Sequence, residues 1–151
     1  MDAVDRQLVE ALRTNARAGW AELGRRIGLS GPSVQERVRR LEERGVIAGY
    51  RAVVSPAAVG LGVSALIGLI QRDDVESEDV AAQLREVGEV EDCWYVAGEE
   101  NFVVKVRAAD VAALELVVAK LRRLPGVSRT RTTVVLSTRW EGRAVPLPDD
   151  H

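Results

Sequence analysis

Apolar residues recur at helical spacing through the first part of the chain. Val4, Leu8, Ala11 and Leu12 share one face, Trp20, Leu23 and Ile27 a second, and Val34, Val38 and Leu41 a third. This period predicts three short amphipathic helices, with Trp20 on the inward face of the second as a core residue. The punctuation agrees with that division. Asp2 is placed to cap the first helix, and Asn15 to Gly19 breaks it. Gly28-Leu29 separates the second helix from the third, Ser30 is the third helix's N-cap, Pro32 falls in its tolerated first turn, and Gly45 is placed to end it. The stretch Val46 to Val54 then reads as two short extended pieces around a turn at Ala48-Gly49, a small β wing.

Beyond a Pro- and Gly-containing connector, the periodicity changes. Strand-like runs at 63–71, 90–96, 101–107 and 127–137 alternate with helical patterns at 77–87 (Val80, Leu84, Val87) and 109–123 (Val111, Leu114, Val118, Leu121). The order β-α-β-β-α-β predicts a ferredoxin-like, ACT-like fold, and the whole chain is α+β. The expected domains are 1–54, a winged helix-turn-helix; 55–62, the connector; 63–138, the ferredoxin-like domain; and 139–151, a tail. In the first strand Val63, Ala65, Ile67 and Leu69 fall on one face, while Leu66 and Ile70 fall on the other with Ser64 and Gly68. Two helices cover one face of such a sheet. A second copy of the sheet is the simplest cover for the other, which predicts an isologous homodimer.

Composition narrows the function classes. With 151 residues, 46% hydrophobic and 29% charged, the chain has the make-up of a globular protein with a core of small aliphatic residues. No apolar run has the length a membrane span needs, the single Cys93 forms no internal disulfide, and no secretory leader pattern opens the chain, so a cytoplasmic, reduced setting is expected. Cys93 lies beside Trp94 in an apolar strand and is expected to be buried and inert. The one histidine, His151, is the last residue, there is no Cys/His cluster and no phosphate-binding glycine loop, and so neither an enzyme nor a metal site is expected. The net charge of −2 hides an asymmetry: residues 1–54 carry 10 Lys and Arg against 7 Asp and Glu, while the remainder is acidic.

Much of the basic charge sits on the third helix. With Val34, Val38 and Leu41 turned inward, Pro32, Ser33, Glu36, Arg39, Arg40 and Glu43 turn outward, and Gln35 and Arg37 flank the stripe. A basic third helix after a tight turn can enter a DNA major groove by its N-terminal turns. Ser30, Ser33, Gln35, Glu36, Arg37, Arg39, Arg40 and Arg51 form the candidate DNA-binding set. Arg37 and Arg40 are the candidate base readers, Gln35 suits adenine, Glu36 suits cytosine N4, and Arg39 and Arg51 suit phosphates. The competing reading is a solvated, self-paired surface in which Arg40 pairs with Glu36 or Glu43, and Arg39 with Glu43, at helical spacing.

The segment "LVEALRTNARAGWAELGRRIGLSGPSVQERVRRLEERGVIAGYRAVVSPAAVGLG" resembles the N-terminal half of the Lrp/AsnC (feast/famine) regulators, through Asp5, Glu22-Leu23, Gly28-Leu29-Ser30, Arg37-Val38, Arg40-Leu41-Glu42, Gly45-Val46-Ile47 and Gly49-Tyr50. "VAGEENFVVKV" and "LPGVSRTRTTVVLST" resemble parts of the family's C-terminal domain, so the likeness runs over about residues 2–138. It implies a transcriptional regulator that binds double-stranded DNA, dimerises sheet to sheet, assembles further to a tetramer or octamer, and binds a small effector, typically an amino acid, between C-terminal domains. Three positions depart from the family's habit. Gly19 stands where Ser or Thr often caps, Gly24 where Ala is usual, and Gly98-Glu99-Glu100-Asn101-Phe102 where Gly-Asp-x-Asp-Tyr/Phe is frequent.

An amino-acid effector is a zwitterion and needs groups of both signs or their hydrogen-bonding equivalents. Gly98, Glu99, Glu100, Asn101, Phe102, Thr130, Thr132 and Thr133 are the candidate effector-binding residues, with a glutamate for the ammonium and the threonine hydroxyls as neutral partners. The alternative is an ordinary solvated turn with threonines present for β propensity. Three functions stay open at this level: an effector-responsive transcription factor, a DNA-architectural protein without effector, and a small-molecule-binding module that does not touch DNA.

Overall fold

The computed structural model describes residues 1–148; His151 and its two aspartate neighbours lie outside the described residues. The chain divides into two units: Met1–Val53 together with the chain from Trp140, and Val54–Arg139. The connector therefore groups with the second unit, and the tail returns to the first.

The first unit holds α1 (Ala3–Thr14), α2 (Trp20–Ile27) and α3 (Gly31–Glu43). Each start follows from a local rule. Asp2 accepts the Asp5 N–H at 2.7 Å, and Ser30 caps α3 by accepting the Ser33 N–H at 3.3 Å, while Gly19 supplies no side chain to α2. The turn between α2 and α3 is built on two glycines. Gly28 closes α2 at φ 76°, and a Cβ on Gly24 would meet the Leu29 carbonyl oxygen at 2.4 Å, so the turn folds back over a bare backbone. Leu8, Ala11, Leu12, Leu23, Val34 and Val38 form the core between the helices. Trp20, expected in that core, is 38% exposed. It is the first residue of an eight-residue helix whose buried positions are Leu23 and Gly24, one turn further in.

The β wing does not form. After Gly45 (φ 68°), the Val46 and Ile47 N–H groups bond back to the Leu41 carbonyl at 2.9 and 3.2 Å, and no strand pairing occurs over 46–54. Two short extended pieces without a third strand make a marginal sheet, and Val53 and Val54 stay exposed. Tyr50 instead ties this segment to α3 by donating to Glu42 Oε1 at 2.8 Å. The tail packs on the same unit. Arg6 donates to the Pro148 carbonyl, Arg13 to the Val145 carbonyl, and Leu147 lies half-buried in a groove with Val9, Leu12, Val46, Ile47 and Tyr50.

The second unit is β1 (Val63–Gln71), α4 (Ser77–Arg85), β2 (Val90–Tyr95), β3 (Phe102–Ala108), α5 (Val111–Arg122) and β4 (Val127–Val134), with strand order β2-β3-β1-β4 and every pair antiparallel. Ala65, Ile67, Leu69, Phe102, Val104 and Val106 meet Val80 and Leu84 of α4 and Leu114, Val117 and Leu121 of α5 in one core. In α5 the inward phase runs through Val117; Val111, expected inward, is 71% exposed at the helix start, and Val118 is partly buried beside Val117. Cys93, expected buried, is exposed because β2 is an edge strand. Its partial desolvation still pushes the thiol pKa up, away from a reactive thiolate.

Directly paired residues share a face, so the register assigns the opposite side of the sheet. Ser64, Leu66, Gly68 and Ile70 stand there with Val103, Lys105 and Arg107, Trp94, and Arg129, Arg131 and Thr133. Leu66 and Trp94 are 39% and 46% exposed. The face is an apolar strip flanked by charge, less uniformly apolar than β1 alone suggests. Glu91 pairs with both Lys105 (2.7 Å) and Arg107 (2.9 Å).

Candidate DNA-binding helix and effector groove

Helix α3 buries Val34, Val38 and Leu41 and exposes Ser33, Gln35, Arg39 and Arg40. Ser30 and Ser33 are linked at its N-terminus by a 2.8 Å hydroxyl contact. The arginines of the helix divide by partner. Glu36 accepts from Arg39 Nε at 3.0 Å and Nη2 at 2.8 Å, and from Arg40 Nε at 2.9 Å; Arg39 also pairs with Glu43. Those two cations, first Arg39 and then Arg40, hold the Glu36 carboxyl down to about 2, so it is ionised throughout the physiological range. Arg37 is placed differently. Its Nη1 donates to Asp2 Oδ2 and Asp5 Oδ1, both at 2.7 Å, across to the start of α1. Its guanidinium is turned to these carboxylates rather than outward, where a base reader would need it. Arg51 is exposed on the unpaired segment after α3.

The second unit carries a groove of about 250 Å³ lined by Gly68, Ile70, Glu99, Glu100, Arg129, Thr130 and Arg131. Its charge is two-signed: Arg131 pairs with Glu100 and lies 3.4 Å from Glu99. Glu100 lies across Gly68, where a Cβ would fall 2.6 Å from its Cγ. Of the expected effector residues, Glu99, Glu100 and Thr130 line this groove, and the others take other places. Gly98 lies in the loop outside the lining. Asn101 braces the loop on β1: its N–H donates to the Leu69 carbonyl and its Oδ1 accepts the Gln71 N–H, both at 2.9 Å. Phe102 is in the core, 2% exposed, edge-on to Tyr95 at 5.1 Å. Thr132 pairs with Ile67 on the helix side and borders a separate hollow with Thr130, Val118 and Arg122, whereas Thr133 pairs with Leu66 on the other face. The period-2 rule applied to Arg129-Thr130-Arg131-Thr132-Thr133 separates these side chains and would have pointed to Arg129 and Arg131.

Residues 1–42 match the AsnC-type helix-turn-helix domain and residues 63–145 match the Lrp/AsnC ligand binding domain. The HTH-type transcriptional regulator LrpA of Mycobacterium tuberculosis is 44% identical over 143 residues, 95% of each chain. The chain belongs to the Lrp/AsnC family. Among solved structures similar to it, a feast or famine regulatory protein from M. tuberculosis complexed with L-methionine has a TM-score of 0.90 at 44% identity, covering 95% of this chain and 97% of that one. A transcriptional regulator of Neisseria meningitidis in complex with L-Met has a TM-score of 0.90 at 29% identity, covering 97% and 96%.

As a member of the Lrp/AsnC transcriptional regulators, the chain pairs a helix-turn-helix, within which α1 to α3 fall, with a ligand-binding domain. Among the described residues no helix is long and apolar enough to cross a membrane, and no three His, Cys, Asp or Glu side chains gather as metal ligands.

Proposed function

We propose that this regulator binds double-stranded DNA through α3 and changes its DNA affinity or assembly when an amino acid occupies the groove beside β4. The domain roles follow: 1–54 binds DNA, 55–62 connects, 63–138 binds effector and dimerises, and 139–151 is the tail. The observation that carries the effector reading is the two-signed lining of the groove. An α-amino acid presents a carboxylate and an ammonium a few bonds apart, and Arg129 and Arg131 face one while Glu99 and Glu100 face the other. The two relatives with bound methionine support that ligand class.

Dimerisation uses the open sheet face, where Leu66, Ile70, Val103 and Trp94 form the apolar strip, and the dimers assemble to tetramers or octamers in the cytoplasm. Regulation then follows by linkage: the effector shifts DNA affinity to the extent that it prefers one assembly geometry.

The test is a thermal-shift screen of the twenty amino acids on the full chain, repeated with DNA. A ligand at about 100 times its Kd stabilises the native state by roughly 2.7 kcal/mol. One observation favours a second reading, a DNA-architectural protein without effector: Glu100 already fills the space over Gly68 and satisfies Arg131. A screen in which no amino acid raises the melting temperature selects that reading.

A further inference from the structure

We infer that Arg37 is a positioning residue for DNA binding: it fixes the pose of α3 on α1 through Asp2 and Asp5 and does not itself contact DNA. The inference rests on the assignment of α3 as the DNA-binding helix. Three observations carry it.

The first is where the partners sit. Arg39 and Arg40 pair with Glu36 and Glu43 on their own helix, three or four residues away, and such pairs move with the helix. The Arg37 pairs span 35 and 32 residues and join two helices. Ridge-and-groove packing of Leu8 against Val34 and Val38 sets the distance between α1 and α3 but tolerates scatter in angle and sliding. A point contact to the end of α1 removes that freedom.

The second is how Asp2 is used. Its Oδ1 caps α1 by accepting the Asp5 N–H at 2.7 Å while its Oδ2 takes the Arg37 guanidinium. The carboxylate is held from both sides, and the start of α1 and the middle of α3 share one anchor. The Asp5 side chain is 13% exposed and that of Arg37 34%, against 53% and 67% for Arg39 and Arg40. The Arg37 contact is thus the least accessible of the three to a duplex.

The third is charge. Two carboxylates surround one guanidinium, so this spot is net negative, while the groove it borders is of mixed charge, with Glu36 and Glu43 against Arg40 and Arg44. A phosphate approaching here meets repulsion, whereas at Arg40 it competes with one exposed carboxylate.

The experiment measures the affinity of the full-length protein for a duplex selected from a random pool, across a salt series, at temperatures where circular dichroism shows each variant folded. Arg51→Ala removes an exposed cation suited to a phosphate and lowers the salt slope by about 0.9. Arg37→Ala is expected to weaken binding several-fold with the slope unchanged, and Arg37→Lys to restore most of the loss. Asp5→Asn is the sharpest arm. Plain electrostatics predicts that removing an acid near DNA tightens binding, whereas loss of positioning predicts that it weakens binding, with no further effect in the Arg37→Ala background. A purely structural role would change the melting temperature and leave the affinity of the folded fraction alone.

The inference is overturned if Arg37→Ala lowers the slope as Arg51→Ala does, if Asp5→Asn tightens binding, or if folded Arg37 variants bind as wild type. Should Arg37→Ala not fold, Arg37→Lys and Asp5→Asn decide the matter. If Arg40→Ala and Arg37→Ala both leave binding unchanged, α3 is not the DNA-facing helix, and the failure belongs to that assignment.

Discussion

Replacing Glu36 by Gln should raise the general DNA affinity of this protein without changing which sequence it prefers. Glu36 occupies the middle of the exposed face of α3 and holds Arg39 by two hydrogen bonds and Arg40 by one. With its carboxyl held down to about 2, the tether does not loosen at any pH where DNA is double-stranded, so substitution is the way to release it. Arg39 retains Glu43 in the variant, whereas Arg40 loses the carboxylate it is seen to use. One cation is therefore freed outright and a second in part. Each additional phosphate neutralised steepens the salt dependence by about 0.9 in log K against log salt, which is about 3.5-fold in affinity over a fourfold change in salt. The variant should bind both selected and random duplexes several-fold more tightly at low salt, with a slope steeper by about 0.9 to 1.8. Fluorescence anisotropy on both duplexes over a salt series measures this. An unchanged slope would refute the tether. A variant with the old slope and a selective loss at one C·G pair would show instead that Glu36 reads cytosine.

Three other perturbations follow from particular contacts. Tyr50 is pushed up to about 12, first by its partial burial and then by the Glu42 carboxylate, so the folded state favours the neutral phenol; that contribution is present below the ordinary value of 10.0 and is lost as pH rises through about 12. The tyrosinate absorbance that disappears in Tyr50→Phe should accordingly develop near 12, and development near 10 would mean that neither the burial nor the Glu42 contact is formed. Leu147→Asp removes a half-buried leucine from the groove on the first unit and should cost about 1 kcal/mol, seen as a melting shift of several degrees by calorimetry, with no shift arguing against the docked tail. Gly68→Ala should fold normally, because the atom its Cβ meets belongs to the Glu100 side chain, which can swing aside. It should weaken amino-acid binding in the thermal screen, and wild-type binding would place the ligand elsewhere.

Elements were legible in the sequence where one period dominated. Val4 to Leu12 and Val34 to Leu41 each carry a single apolar stripe, and both became helices whose caps, Asp2 and Ser30, are local in sequence. Over 111–121 three sides of α5 are apolar, and the choice between Val117 and Val118 depended on where β1 and β4 lie. The wing was misread because β-branched residues give Val46 to Val54 strand propensity, while a sheet also needs partners. Cys93 was misjudged for a related reason: strand order makes β2 an edge, and order is not written in a strand's own residues. On α3, the pairs of Arg40 with Glu36 and of Arg39 with Glu43 were visible four residues apart, but the pairs from Arg37 to Asp2 and Asp5 join residues more than thirty positions apart. In the groove, the loop glutamates were visible as a local run of acid. Arg129 and Arg131 needed the pleat of β4 and its register with β1.

The most direct test of effector-linked DNA binding is a linkage measurement on one sample: affinity for a selected duplex, with and without a saturating amount of the amino acid that most stabilises the free protein. The DNA affinity should change by at least about 5-fold, the lower range of ordinary allosteric coupling, with the reciprocal change in amino-acid affinity when DNA is present. Equal DNA affinity with and without saturating ligand would contradict it.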